Sequence, residues 1–218
     1  MVNDKKKGAA RMLSKFFNLD SEKQDRMINA AIKEFAQKGY DRASTNEIVK
    51  EAGISKGLLF HYFQNKKQLY LFLFDYCYEI IADEFYKKIN LTEKDFFKRI
   101  RESVLIKMEL LNKYPEIFKF IEEAYFEDSL DIKPELEKKI KNLNDINIGK
   151  IYEGIDSSKF REDIDIQKIL KIITFTFEKI SEEELLKAKL SPTHQIDYKK
   201  VQLIAEEYLE VLMKAFYK

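Results

Sequence analysis

The residues best able to do chemistry in this chain are hydrogen-bond donors rather than a catalytic set. His61 and His194 are the two histidines and Cys77 is the one cysteine. That is too little for a Cys/His metal cluster or a nucleophile–base pair, and no Gly-rich phosphate loop is present. Only carboxylates remain for acid–base work, so no catalytic residue is assigned and the chain is read as a non-enzyme. Donors instead gather between Thr45 and Phe63, in TNEIVKEAGISKGLLFHYF: Thr45, Asn46, Ser55, Lys56, His61 and Tyr62, with Lys66 just beyond. Hydroxyls, amides and ammonium groups suit phosphate oxygens, and a lysine suits guanine N7 and O6.

Two short helices must position them. Ser44 or Thr45 caps the first, whose inward face is Ile48, Val49 and Ala52. Gly53 makes the turn, because glycine alone takes φ > 0 without steric cost. Ser55 caps the second helix, which runs from Lys56 to Phe63. Helix, Gly-containing turn and helix together form a helix-turn-helix, whose second helix can enter a DNA major groove. A plain helical hairpin would show an ordinary amphipathic pattern. Here Lys, Gly, His and Tyr share one short helix instead.

Upstream, Ser21 caps a helix running to about Lys38 with an apolar stripe of Met27, Ile28, Ala31, Ile32, Phe35 and Ala36. Gly39 stops it, and the three helices share a core. Residues 1–20 read as an N-terminal extension in which Met12, Leu13, Phe16, Phe17 and Leu19 form a short packed helix, with Lys5–Lys7 solvated. Downstream, Asn65 caps a helix over 66–89 that is apolar on more than one face. Thr92 with Asp95 resembles a capping box for a helix to Lys113. Further helices follow from Pro115 and Pro134. The last two are expected at 165–189 and 195–216, and the wide apolar surface of the first suits both a core and a partner subunit.

Composition agrees. Six Gly and three Pro in 218 residues, with abundant Lys, Glu, Ile and Leu, argue for an all-α protein. A single cysteine fits a reducing cytoplasm, and no apolar run is long enough to span a membrane. The net charge of +1 hides an asymmetry. Residues 1–67 carry 14 Lys and Arg against 8 Asp and Glu, whereas the remaining 151 carry 25 against 30. A basic end on an acidic body points to a nucleic-acid-binding end.

The run KGYDRASTNEIVKEAGISKGLLFHYFQNKKQLY closely resembles the N-terminal signature of the tetracycline-repressor (TetR) family of bacterial transcription regulators. Phe35, Gly39-Tyr40, Ser44-Thr45, Ile48, Ala52-Gly53, Ser55-Lys56-Gly57, Phe60–Phe63, Asn65-Lys66 and Leu69 carry the resemblance over about 45 residues. It implies a three-helix helix-turn-helix DNA-binding domain at 21–65 and a larger helical ligand-binding and dimerisation domain at 66–218. It further implies a homodimer, through the helices 165–189 and 195–216, on a palindromic double-stranded operator. No cofactor or metal is implied, but an unidentified small-molecule effector is.

Residue by residue, the resemblance implies that Thr45 donates to a phosphate and that Asn46 reaches a base or the backbone. Ser55 and Lys56 open the recognition helix, Lys56 being the candidate for base contact. Gly57 permits close approach, and Leu58 meets a thymine methyl. His61 and Tyr62 face the backbone or groove wall, and Lys66 a phosphate. Phe60 stands where the family more often has Tyr, so a phenolic contact is absent there. Tyr76, Phe118, Tyr125, Phe126, Phe175 and Phe177 are candidates to line an apolar effector pocket. The function expected is a ligand-responsive repressor; an all-helical carrier of small molecules or lipids without specific DNA binding is the alternative.

Overall fold

Local signals set most of the helix ends in the computed structural model, which describes residues 15–191 and 196–218. Asp20 accepts the Lys23 N–H and starts α1 (Ser21–Arg42), and Gly39 at φ +66° breaks the helical path inside it. Ser44 caps α2 (Thr45–Ala52), and Ser55 caps α3 (Lys56–Phe63). Asn65 accepts the Gln68 N–H at 2.8 Å at the head of α4 (Lys66–Lys88). Next come α5 (Phe96–Lys113), α6 (Pro115–Tyr125) and α7 (Lys133–Tyr152). A 3₁₀ turn at Ser157–Lys159 precedes α8 (Ile166–Leu190) and α9 (Tyr198–Phe216). The protein is all-α, with an N-terminal helix-turn-helix followed by a helical C-terminal part.

Three of these starts correct the sequence reading: the α1 cap is Asp20, one residue before the expected Ser21. The α5 cap is Asp95, which accepts the Lys98 N–H at 3.2 Å, while the Thr92 hydroxyl donates to Asn90 instead. Asp197, accepting from the Lys200 N–H at 3.1 Å, starts α9 at Tyr198 rather than at residue 195. Of the expected leading helix, residues 15–17 are helical, whereas Lys5–Lys7, Met12 and Leu13 lie outside the described residues.

The chain divides into two compact units. The first joins the described part of Met1–Asp83 to Lys113–Ile140. Its core takes Met27, Ala31 and Phe35 from α1, Ile48 and Ala52 from α2, Leu59 and Phe63 from α3, and Leu69, Tyr70 and Phe74 from α4. Phe120 of α6 meets the Tyr70 ring at 5.1 Å, and α1 packs on both α2 and α6. The Gly39-Tyr40 turn is tied down by acids after α6. Glu127 accepts the Tyr40 N–H at 2.8 Å, and Asp131 accepts its hydroxyl.

The second unit, Glu84–Asn112 with Lys141–Lys218, has its own core. Phe96 and Phe97 of α5, Phe160, Ile169 and Ile173 of α8, and Leu209, Leu212 and Phe216 of α9 fill it. Arg99 is fully buried, and among the described residues it forms no ion pair with a carboxylate. Its guanidinium donates to the carbonyls of Leu91 at 3.0 Å, Ile151 at 2.8 Å and Glu153 at 2.7 Å, and also to Glu93. Backbone dipoles around the end of α7 thus solvate the cation, which burial would otherwise penalise heavily. The chain end returns to this unit: Tyr217 donates to Asp95 at 3.1 Å, and Lys218 N–H to the Lys159 carbonyl at 3.0 Å.

Candidate nucleic-acid interface

The eight residues of α3 form two arcs at 100° per residue, with half-buried Leu58 between them. Lys56, Gly57, Phe60 and His61 occupy one arc; Lys56, Gly57 and His61 are exposed and Phe60 is half-buried. Leu59, Tyr62 and Phe63 occupy the other and are buried. The Lys56 ammonium stands 5.9 Å from the centre of the Phe60 ring, so that ring supports the cation from below.

Several groups fix the height and direction of this arc. Gly53 takes the left-handed conformation (φ 65°, ψ 39°), and the Ile54 N–H donates to the Val49 carbonyl at 3.0 Å. Ser55 accepts the Leu58 N–H at 3.2 Å, which leaves Lys56 as the first helical residue. Glu34, buried on α1, accepts the Ser44 N–H at 2.8 Å and pairs with Lys38 at 2.8 Å. Burial would raise the Glu34 pKa, but these two bonds hold it below the usual carboxylate value. Glu34 therefore clamps the start of α2, where half-buried Thr45 and exposed Asn46 sit. Phe16 packs beneath, with its ring 5.7 Å from Tyr62 and 5.0 Å from Phe63.

The structure gathers Asn46, Ser55, Lys56, Gly57 and His61 as exposed groups of the helix-turn-helix, with Thr45, Leu58 and Phe60 half-buried. Tyr62 and Lys66 stand apart. The Tyr62 ring is buried in the aromatic cluster. The Lys66 ammonium donates to the Asp41 carbonyl at 3.0 Å over the Tyr40 ring, and burial lowers its pKa. Sequence reasoning missed Glu34 and Arg99. Glu34 carried a signal, since it lies seven residues after Met27 and so falls on the apolar stripe of α1.

The six aromatic pocket candidates fall in both units. Tyr76 is half-buried and stacks on Phe72 at 5.8 Å; Phe118 is buried; Tyr125 is exposed. Phe126 lines a surface cleft of about 230 Å³ with Lys38–Arg42, Glu123 and Glu127. In the second unit Phe175 is exposed on α8, and Phe177 is half-buried against the core. Among the described residues there is no His, Cys, Asp and Glu group arranged to hold a metal ion. No helix among them is long and apolar enough to cross a membrane.

A capped helix-turn-helix, with an exposed lysine opening its second helix, thus stands within an all-α chain. The profile of bacterial regulatory proteins of the tetR family matches residues 27–72, the stretch that holds the helix-turn-helix. It is 33% identical over 124 residues to the HTH-type transcriptional regulator YuxN of Bacillus subtilis, covering 56% of this chain but only 40% of that protein. It is 23% identical over 162 residues to the fatty acid metabolism regulator protein of the same organism, covering 70% of this chain and 78% of the relative. The solved structure of SmeT, the repressor of the Stenotrophomonas maltophilia multidrug efflux pump SmeDEF, shares the fold. It aligns at a TM-score of 0.65 with 16% identity, over 91% of this chain and 93% of that one.

Proposed function

We propose that this chain is a ligand-responsive repressor that binds a palindromic operator as a homodimer and is released by a small molecule. Residues 21–65 form the DNA-binding domain, and 66–218 bind the ligand and dimerise. The observation that carries the reading is the exposed arc of Lys56, Gly57 and His61, held by a capped turn and a buried Glu34. Lys56 at the helix start reads a base, Gly57 lets the helix close on the groove, and Asn46, Thr45, Ser55 and His61 contact backbone. Leu58 and Phe60 border that surface. Tyr62 acts from beneath as a support, and Lys66 reaches a phosphate only by exchanging its Asp41 contact. The protein acts in the cytoplasm and does no chemistry of its own.

Dimerisation uses α8 and α9. Ile172, Phe175, Leu186 and Leu190 on α8, and Leu203, Tyr208 and Val211 on α9, are exposed large apolar side chains of the second unit. Half-buried aromatics such as Tyr76, Phe126 and Phe177 retain surface to offer an effector. Bound effector tilts α4, a continuous helix whose residues to Asp83 belong to one unit and the rest to the other. A coupling of about 1–3 kcal/mol would change operator affinity roughly 5–150-fold.

One relative is named for fatty acid metabolism and one structural neighbour for a multidrug efflux pump, so fatty acids and drugs are the two effector classes to try. A gel shift on the DNA upstream of its own gene, repeated with each class, tests the reading. Specific retardation relieved by one class supports it; absence of a sequence-specific band contradicts it.

A further inference from the structure

The exposed stripe of α8 has an order that is its own complement. At 100° per residue, Ile172, Phe175, Lys179, Glu183, Leu186 and Leu190 lie within an arc of about 80°. The four apolar members are exposed, Leu190 by 77% and Leu186 by 57%, and Glu183 is exposed beside them. Lys179 is 66% exposed and, among the described residues, pairs with Glu182 on its own helix at 3.3 Å, itself 67% exposed. An exposed i,i+3 pair holds its partners weakly, so the ammonium is free to change partner. The stripe is apolar at both ends and charged in the middle, with one sign on each side of the midpoint.

We propose that α8 packs antiparallel on α8 of a second copy of this chain, in a register centred on residue 181, and that Lys179 and Glu183 exchanged across the two-fold axis select that register and that partner. The inference rests on the dimer reading above and specifies its contact. In an isologous contact, residue i meets j while j meets i. Ile172 and Leu190 lie nine residues either side of Ser181, and Lys179 and Glu183 lie two. A two-fold axis at that height sets Ile172 against the partner's Leu190 and Lys179 against the partner's Glu183, each pair twice. Phe175, six residues before, falls beside the partner's Leu186, five after.

Sliding by one turn spoils this in either direction. Centred on 179, Lys179 faces its own copy, and Phe175 faces Glu183. Centred on 183, Glu183 faces its own copy, and Lys179 faces Lys187. Like charges in those registers repel, so the two central residues act against wrong pairings as well as for the right one. Relatives of the same fold that lack this opposed pair would be poor partners. The apolar side chains exposed on α9 in the same unit, Leu203, Tyr208 and Val211, extend the surface beyond the seam.

Sedimentation velocity on the full chain tests the proposal with four forms: wild type, Lys179→Glu, Glu183→Lys and the double exchange K179E/E183K. Each single variant opposes like charges twice and should weaken the dimer about tenfold or more. Mixing the two single variants should give a heterodimer tighter than either alone, and the double exchange should restore wild-type association. Single variants that dimerise like wild type, or a mixture that recovers nothing, would overturn the register while leaving the dimer standing. A monomeric wild type would overturn both.

Oxidative cross-linking gives a second readout. The variant I172C/L190C should cross-link between copies, and I172C alone should not. The native Cys77 stays out of the reaction, because burial pushes its thiol up to about 12.

Discussion

At the scale of single residues, what an exposed side chain does depends on which arc of a short helix carries it. Lys56 sits at the start of the exposed arc, and its replacement by alanine should flatten the preference for one base pair of the half-site. That loss corresponds to about 1–3 kcal/mol of discrimination, measured by competition among half-site sequences. Unchanged preference would remove Lys56 from base readout. Buried Tyr70 offers a different test, since its hydroxyl has no hydrogen-bond partner among the described residues. Tyr70→Phe should leave stability unchanged or raise it by about 1 kcal/mol, read as urea midpoint, because no bond is lost and a desolvated donor is removed. The donor set of the recognition helix was legible in the sequence because exposure follows from helical spacing. The burial of Tyr62 was less so: it depends on Phe16, whose contact with the helix-turn-helix no local pattern announces.

At the scale of elements, the recognition helix carries a glycine that its own stability does not ask for. A Cβ at Gly57 would meet nothing within 4 Å, and the residue has no positive φ. Gly57→Ala should therefore stabilise the protein by about 0.5–1 kcal/mol. The same methyl would stand between helix and groove, so operator affinity should fall while melting temperature rises. Tighter operator binding by Gly57→Ala would show that the helix does not approach the groove closely there.

The α5 cap is a second element-scale device. Burial would raise the Asp95 pKa, yet hydrogen bonds from Lys159 at 2.7 Å, the Lys98 N–H and Tyr217 hold it below its ordinary 3.8. A depressed carboxyl contributes stability that is present above the unfolded value and lost as pH falls through the folded one. Asp95→Asn should thus cost about 1 kcal/mol near neutral pH, with Lys159 partly exposed and screened. The gap from wild type should close as pH falls below 3.8 in acid-unfolding curves. Caps made by near neighbours, such as Ser55 and Asn65, were readable in the sequence. Asp95 was placed inside a box opened by Thr92, although the N–H it caps belongs to Lys98, three residues on; only its further partners Lys159 and Tyr217, more than sixty residues away, leave no local mark.

At the scale of the molecule, the all-α class, the helix order and the basic first third were legible because periodicity, scarce glycine and charge are properties of the chain itself. The two compact units were not. Lys113–Ile140 joins the N-terminal helices through contacts such as Phe120 with Phe35 and Tyr70, which pair residues some fifty to eighty-five positions apart. The caging of Arg99 by four carbonyls was equally hidden, since carbonyls leave no mark in a sequence. The basic end explains why DNA would be attracted, and the arc of α3 explains why one sequence would be preferred. The measurement that separates those two contributions is a salt titration of affinity for the upstream operator against a scrambled duplex. The 218-residue chain should lose affinity for both linearly in the logarithm of salt concentration, with a steep slope from released counterions, while keeping a preference for the operator of about 10³-fold or more. A shallow slope with equal affinity for both duplexes would contradict the account.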